Sequence, residues 1–253
     1  MHVVKLLLEY IKYRWKAKLR HGIHSPFVYD LSDNCLSISI SKEDQQSLNA
    51  FFSKLSSDNR TIDIQDFGAG SKRLSSHRKV SKILSNSSSK GKYGKLLYQI
   101  SKHYRPERTL ELGTSLGVGT HYLHLGFPEG KITTIEACPN TRSIALENLP
   151  TGINSIQSTF SNYLPQIAKS FDLVFIDGHH DGDALLKYLE ESDQFTHDDT
   201  IFILDDIRWS ASMKAAWNKI IDNPKYNVTL DFFRVGIIVK RPTQEKEHFS
   251  LRM

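Results

Sequence analysis

The chain is poor in cysteine, has no long apolar run and lacks a basic motif interleaved with aromatics. Two cysteines in 253 residues, Cys35 and Cys138, lie far apart and match no metal or redox spacing, so a disulfide scaffold is excluded. Both are expected as reduced thiols, which points to the cytoplasm. No stretch reaches the ~20 apolar residues needed to span a bilayer. The opening MHVVKLLLEYIKYRWKAKLR has only a short apolar run, with no small-residue cleavage site behind it. The expectation is a chain without signal peptide or transmembrane segment, one that rests at most on a surface.

What is present is ordinary in bulk and uneven along the chain. Hydrophobic residues make up 39% and charged residues 24%, which excludes wholesale disorder. The formal charge of +5 conceals a split. Residues 1–108 carry 20 Lys+Arg against 9 Asp+Glu, and residues 109–253 carry 13 against 19. A basic arm beside an acidic domain suits an anionic partner: nucleic acid, a membrane surface or a phosphorylated substrate. The plainer reading is a solvated basic helix and a charged linker.

Val3, Val4, Leu7, Leu8, Ile11 and Trp15 recur at steps of three and four, which predicts an amphipathic helix with Lys and Arg on its other face, a candidate homodimer contact. Gly22 is a helix stop, and Pro26 holds Ser25 extended before another helix. Ser41 caps a helix over about 42–55. TIDIQDFGAGS alternates briefly, and the following Ser-, Lys- and Arg-rich segment, residues 72–95, is expected to be a mobile lid. From Leu96 the texture is regular: TLELG, KITTIEA, NSIQST, FDLVFIDG and TIFILDD each precede a helical stretch, and YNVTLDFFRVGIIVKR reads as an edge hairpin. This predicts an α/β fold, a doubly wound Rossmann-like sheet that is mainly parallel with an antiparallel C-terminal hairpin. The division is a helical N-terminal cap over 1–95 and a Rossmann-like domain over 96–253.

Two glycine runs compete for a nucleoside. A working loop follows the first strand, opens a helix, and is answered by an acid at the end of the next strand. Gly113, Gly117 and Gly119 meet this between TLEL and THYLHL, with Glu136 closing KITTIE. The run DFGAGS (66–71) has no such sequel and reads as a turn.

These residues resemble a known group. LELGTSLGVGT, TIEACP, FDLVFIDGHH, FILDDIRWS and LDFFRVGIIVKR are similar to the class I S-adenosylmethionine-dependent methyltransferases, and within them to the O-methyltransferases related to the catechol and macrocin enzymes. The similarity runs from Leu96 to Arg241. The resemblance implies S-adenosylmethionine as cofactor, its methionine part against Glu111, Gly113, Thr114, Ser115 and Gly119. Glu136 would hold the ribose, and Ser158, Thr159 and Phe160 would frame the adenine. The spacing GxxxGxG, rather than GxGxxG, separates the chain from dehydrogenases.

Asp177 ends one strand, and Asp205 and Asp206 end the next, so three carboxylates converge on one sheet edge. Such a cluster needs protons, salt bridges or a hard cation such as Mg²⁺, and the resemblance also implies Asp177, Asp205 and Asp206 as metal ligands. The alternative has Asp177 bind cofactor or solvent and Asp205 cap a helix, without metal. His179 or His180 would accept the acceptor's proton, with His179 the first choice and Asp177 beside it in the catalytic set. Arg208 and Trp209 are candidates for an anion contact and a wall, and FVYDL (27–31) with SSHRKVSKIL (75–84) for an acceptor lid. The expected function is O-methylation of a small-molecule or glycan hydroxyl. A methyltransferase acting on RNA or another polyanion, and a non-catalytic binding protein, stand as alternatives.

Overall fold

The computed structural model describes residues 2–17, 25–65, 76–87 and 89–253. DFGAGS and Gly22 lie outside them. The N-terminal part comprises helix α1 (His2–Lys16), α2 (Pro26–Asp30) running into a π-helical turn at Leu31–Cys35, and α3 (Lys42–Ser57). As the sequence predicts, Ser25 is extended ahead of Pro26, and Ser41 Oγ accepts from Asp44 N at 3.0 Å to cap α3. Strands β1 (Thr61–Ile64) and β2 (Ser76–Lys79) pair antiparallel, and α4 (Val80–Asn86) follows. The basic Ser-rich segment is therefore not a loop in its described part. Val80 and Leu84 supply one apolar turn and are buried in the core, enough to fold it into a helix.

After α5 (Lys92–Tyr104) come β3 (Arg108–Leu112), α6 (Val118–Gly126), β4 (Lys131–Glu136), α7 (Pro139–Leu146), β5 (Asn154–Gln157) and the short α8 (Phe160–Tyr163). The chain continues through β6 (Phe171–Ile176), α9 (Gly182–Glu191), β7 (Thr196–Leu204), α10 (Ala211–Asp222), β8 (Val228–Asp231), β9 (Gly236–Val239) and β10 (Glu247–Ser250). The sheet order is β10-β8-β9-β7-β6-β3-β4-β5. Of these eight strands β9 alone runs against the rest. The direction of winding reverses between β3 and β6, which places a crevice at their C-terminal ends. One expectation is corrected at the edge. The hairpin is not outermost, because β10 pairs parallel with β8 and covers it.

Period-two alternation sorts the strands onto two faces. Leu173, Phe175, Ile201 and Ile203 join α5, α6 and the N-terminal helices, while Val174, Ile176, Phe202 and Leu204 face α9 and α10. The first cluster extends from Phe27 to Leu251. The N-terminal segment thus shares one core with the sheet. Polar ties repeat the point: Tyr98 OH donates to Asp44 at 2.7 Å, and His103 Nε2 meets Asp30 at 2.8 Å.

Helix α1 docks in an unexpected orientation. Tyr13 and Ala17 are buried; Tyr13 OH donates to the Leu251 carbonyl, and Tyr10 meets Phe233 edge-on at 4.9 Å. Leu7, Leu8, Ile11 and Trp15 face outward.

Candidate active site

The crevice is built from the turns that leave β3, β4, β6 and β7. Five of the seven described non-glycine residues with positive φ lie on these turns or on the β8–β9 connection that meets them: Ser115, His179, His180, Asp206 and Phe233. Left-handed backbone costs energy at such residues and gathers where function needs a particular geometry. Gly113 adopts φ +108°, and a Cβ there would lie 2.1 Å from the Asp177 carbonyl oxygen, so the β3 turn and the β6 end touch through bare backbone.

The turn's amides do not stand free. Gly113 N and Thr114 N both donate to Ile135 O, at 3.0 and 3.2 Å, and Ser115 N donates to Glu136 Oε2 at 2.9 Å. Glu136 Oε1 accepts from Cys138 N at 2.9 Å. The carboxylate is thereby fixed at the mouth of the turn, and burial raises its pKa. Phe160 lies against His179 and Tyr188, with centroids 5.4 and 5.5 Å away, and packs on Gly178, where a Cβ would come within 2.8 Å of its ring. Ser158 Oγ donates to Thr159 O at 3.0 Å. These residues form one continuous wall from turn to α8.

Glu111 departs from its expected place. It is fully buried, and its Oε2 accepts from the hydroxyls of Thr120 and Thr134, while Thr134 and Thr114 share a bond of 2.6 Å. Gly119 lies over its Oε1, 2.5 Å from where a Cβ would sit. Glu111 and Gly119 therefore brace the turn from beneath and do not face the crevice. Burial pushes the Glu111 carboxyl up to about 7.

Asp177, Asp205 and Asp206 converge as the sequence predicts, but the cation among them is a side chain. Continuing the β7–β9 register, in which Leu204 faces Gly236, places Asp206 opposite Arg234. Arg234 Nε stands 2.7 Å from Asp206 Oδ1 and 3.4 Å from Asp205 Oδ1, its guanidinium over the Tyr93 ring. No described group of three or more His, Cys, Asp or Glu side chains is placed to hold a metal ion. Arg234 thus places a fixed positive charge against Asp205 and Asp206, two of the three carboxylates expected to hold a divalent ion. Asp177 accepts from Ser89 Oγ at 2.9 Å. Burial, then the charge of Asp205, raises its pKa well above the carboxylate range, as a proton held between the two would require. The pKa of Asp206 is raised by burial and by Asp205, with Arg234 opposing.

The two histidines separate. His179 Nδ1 is bonded to Tyr188 OH, and its ring stacks on Tyr188 at 5.6 Å, on the Phe160 side. His180 Nδ1 is 3.7 Å from Asp206 Oδ2, and its ring is 5.8 Å from that of Trp209, which is exposed. Arg208 is committed elsewhere: both terminal nitrogens bind Asp231, at 2.9 and 2.5 Å. The FVYDL segment is far from the opening. Phe27 stacks on Tyr104 and lies under Arg241, which follows β9 at the opposite sheet edge. Ser89, Tyr93 and Arg234 escaped the sequence reading. The strand register alone carried a signal for Arg234.

Residues 110–207 match the family described as a methyltransferase domain. An S-adenosylhomocysteine-bound methyltransferase from Podospora anserina is 15% identical, covering 87% of this chain and 97% of its own at a TM-score of 0.55. An O-methyltransferase from Bacillus cereus in complex with S-adenosylhomocysteine is 17% identical, covering 84% and 96% at a TM-score of 0.53. At these identities the likeness is one of fold. No curated protein matches the chain. The match to a methyltransferase domain spans residues 110–207, and the fold is shared with these solved methyltransferases; among the described residues no helix is long and apolar enough to cross a membrane.

Proposed function

We propose that the protein is an S-adenosylmethionine-dependent O-methyltransferase acting on a hydroxyl of a small molecule or glycan without a divalent metal. The observation that carries this reading is Glu136, held by backbone amides beside the β3 turn. A carboxylate offers about four acceptor sites, more than the amides of Ser115, Ala137 and Cys138 use, so ribose hydroxyls find lone pairs there. Phe160 gives a flat apolar wall for a base. When bound, S-adenosylmethionine supplies the methyl group together with its own leaving group.

The remaining work falls to the chain: align the acceptor and take its proton. His180 is placed for the second task, at the opening between Asp206 and Trp209, whereas His179 is held by Tyr188 and positions the wall. Arg234 supplies fixed positive charge beside an acceptor oxygen that becomes anionic, in a site partly closed to water.

Calorimetric titration with S-adenosylhomocysteine tests the donor site, and the absence of heat would leave only a partner-binding role for the fold. For the acceptor step, His180→Asn is expected to lower turnover by about 10²–10⁴-fold with donor affinity unchanged. Equal turnover in this variant and the parent would remove His180 from the mechanism. The RNA alternative rests on the basic first 108 residues, and retention on RNA that weakens with salt would favour it.

A further inference from the structure

We infer that α1 docks the protein on an anionic lipid surface. At 100° per residue, Leu7, Ile11, Trp15 and Leu8 fall within an arc of about 100° on one side of the helix. The same four are exposed by 56%, 45%, 88% and 55%. Lys12 and Arg14, both exposed, border the arc on its two sides. Tyr13, which anchors the helix to the body, points the opposite way. The helix therefore presents an apolar strip with cationic margins and is held from behind, the arrangement of an interfacial amphipathic helix.

Charge decides the occupant. Residues 1–20 contain six Lys or Arg and one acid. That acid, Glu9, is turned inward, bound by Lys214 and 3.9 Å from Arg208. The outer face therefore has no carboxylate from α1's described side chains to answer its lysine and arginine. A second copy meeting it about a two-fold axis would oppose like charges, whereas anionic headgroups would neutralise them. RNA would satisfy the charge but would leave the aliphatic strip in water. On its body side α1 reaches toward the crevice, through Tyr10 on Phe233, the residue before Arg234.

The test is co-sedimentation of the full chain with vesicles of phosphatidylcholine alone and with an equal share of phosphatidylglycerol, in the absence of methyl donor and acceptor. The expected result is binding to the mixed vesicles only, weakened at high salt and reduced at least ten-fold in Leu8→Glu/Ile11→Glu. Both sites are exposed, so the variant should keep its melting temperature and its affinity for S-adenosylhomocysteine. Equal binding of variant and parent would overturn the inference. So would a parent dimer that the variant dissolves without any vesicle binding, or retention on RNA with none on vesicles. Since no turnover is measured, failure here leaves the proposed methyl transfer standing.

Discussion

Replacing Glu111 with glutamine tests how the β3 turn is supported. The carboxyl is buried beneath α6 with two threonine hydroxyls on one oxygen, and its pKa rises from 4.5 to about 7 on folding. Between these values the folded chain holds a proton that the unfolded chain has released. The folded state binds more protons, so stability falls as pH rises through this window, and the loss is complete just above pH 7. The size is roughly 3 kcal/mol, at 1.36 kcal/mol for each tenfold change in proton affinity. Glutamine resembles the protonated acid and does not titrate. Urea unfolding at pH 5 and pH 8.5 should therefore show the Glu111→Gln protein gaining about 2.5 kcal/mol on its parent across that interval, since part of the loss already lies below pH 5. Other groups that titrate there, such as His121, whose pKa burial lowers to about 4, are common to both proteins and cancel. Curves that stay parallel within 1 kcal/mol would show that the buried carboxylate carries no such penalty.

Glu136→Ala should weaken binding of S-adenosylhomocysteine by about 1–3 kcal/mol in a calorimetric titration, as two charge-assisted hydrogen bonds are lost; unchanged affinity would refute the ribose assignment. Gly113→Ala should cost at least about 3 kcal/mol in urea unfolding, because the added carbon meets the Asp177 carbonyl at 2.1 Å in a backbone conformation that alanine resists, and a loss below 1 kcal/mol would show that the two turns are not in contact. Arg234→Ala should lower stability by about 2–3 kcal/mol in urea unfolding by leaving the buried Asp205 and Asp206 without their arginine. The parent should melt and turn over alike in Mg²⁺ and in chelator, and activity that requires the ion would restore the metal reading.

The sheet was legible because its strands are apolar, evenly spaced and each followed by a helix, so local pattern and global topology agree. The convergence of Asp177, Asp205 and Asp206 followed from parallel strand ends alone. The sequence could not say what neutralises them, because Arg234 reaches Asp206 through a register that is known only once β9 is paired. β10 was missed for a related reason: EHFS has one buried apolar residue, Phe249, and its pairing with β8 depends on contacts distant in sequence. The strip on α1 was visible as periodicity, but periodicity gives a face and not its direction. Tyr13 and Ala17, few and far from the strip, determine which side the body takes. For the histidines, adjacency in sequence hid a separation in space, since two consecutive residues with positive φ send their rings to different neighbours.

Residues 251 and 252 are pinned by the first helix: Arg252 donates to the Arg14 carbonyl at 2.6 Å, and Tyr13 holds the carbonyl of Leu251. Segments 238 residues apart in sequence close over each other like a clasp. Disturbing residues 251 and 252 would be felt first at α1 and, through Tyr13 and Tyr10 on Phe233, at the mouth of the crevice.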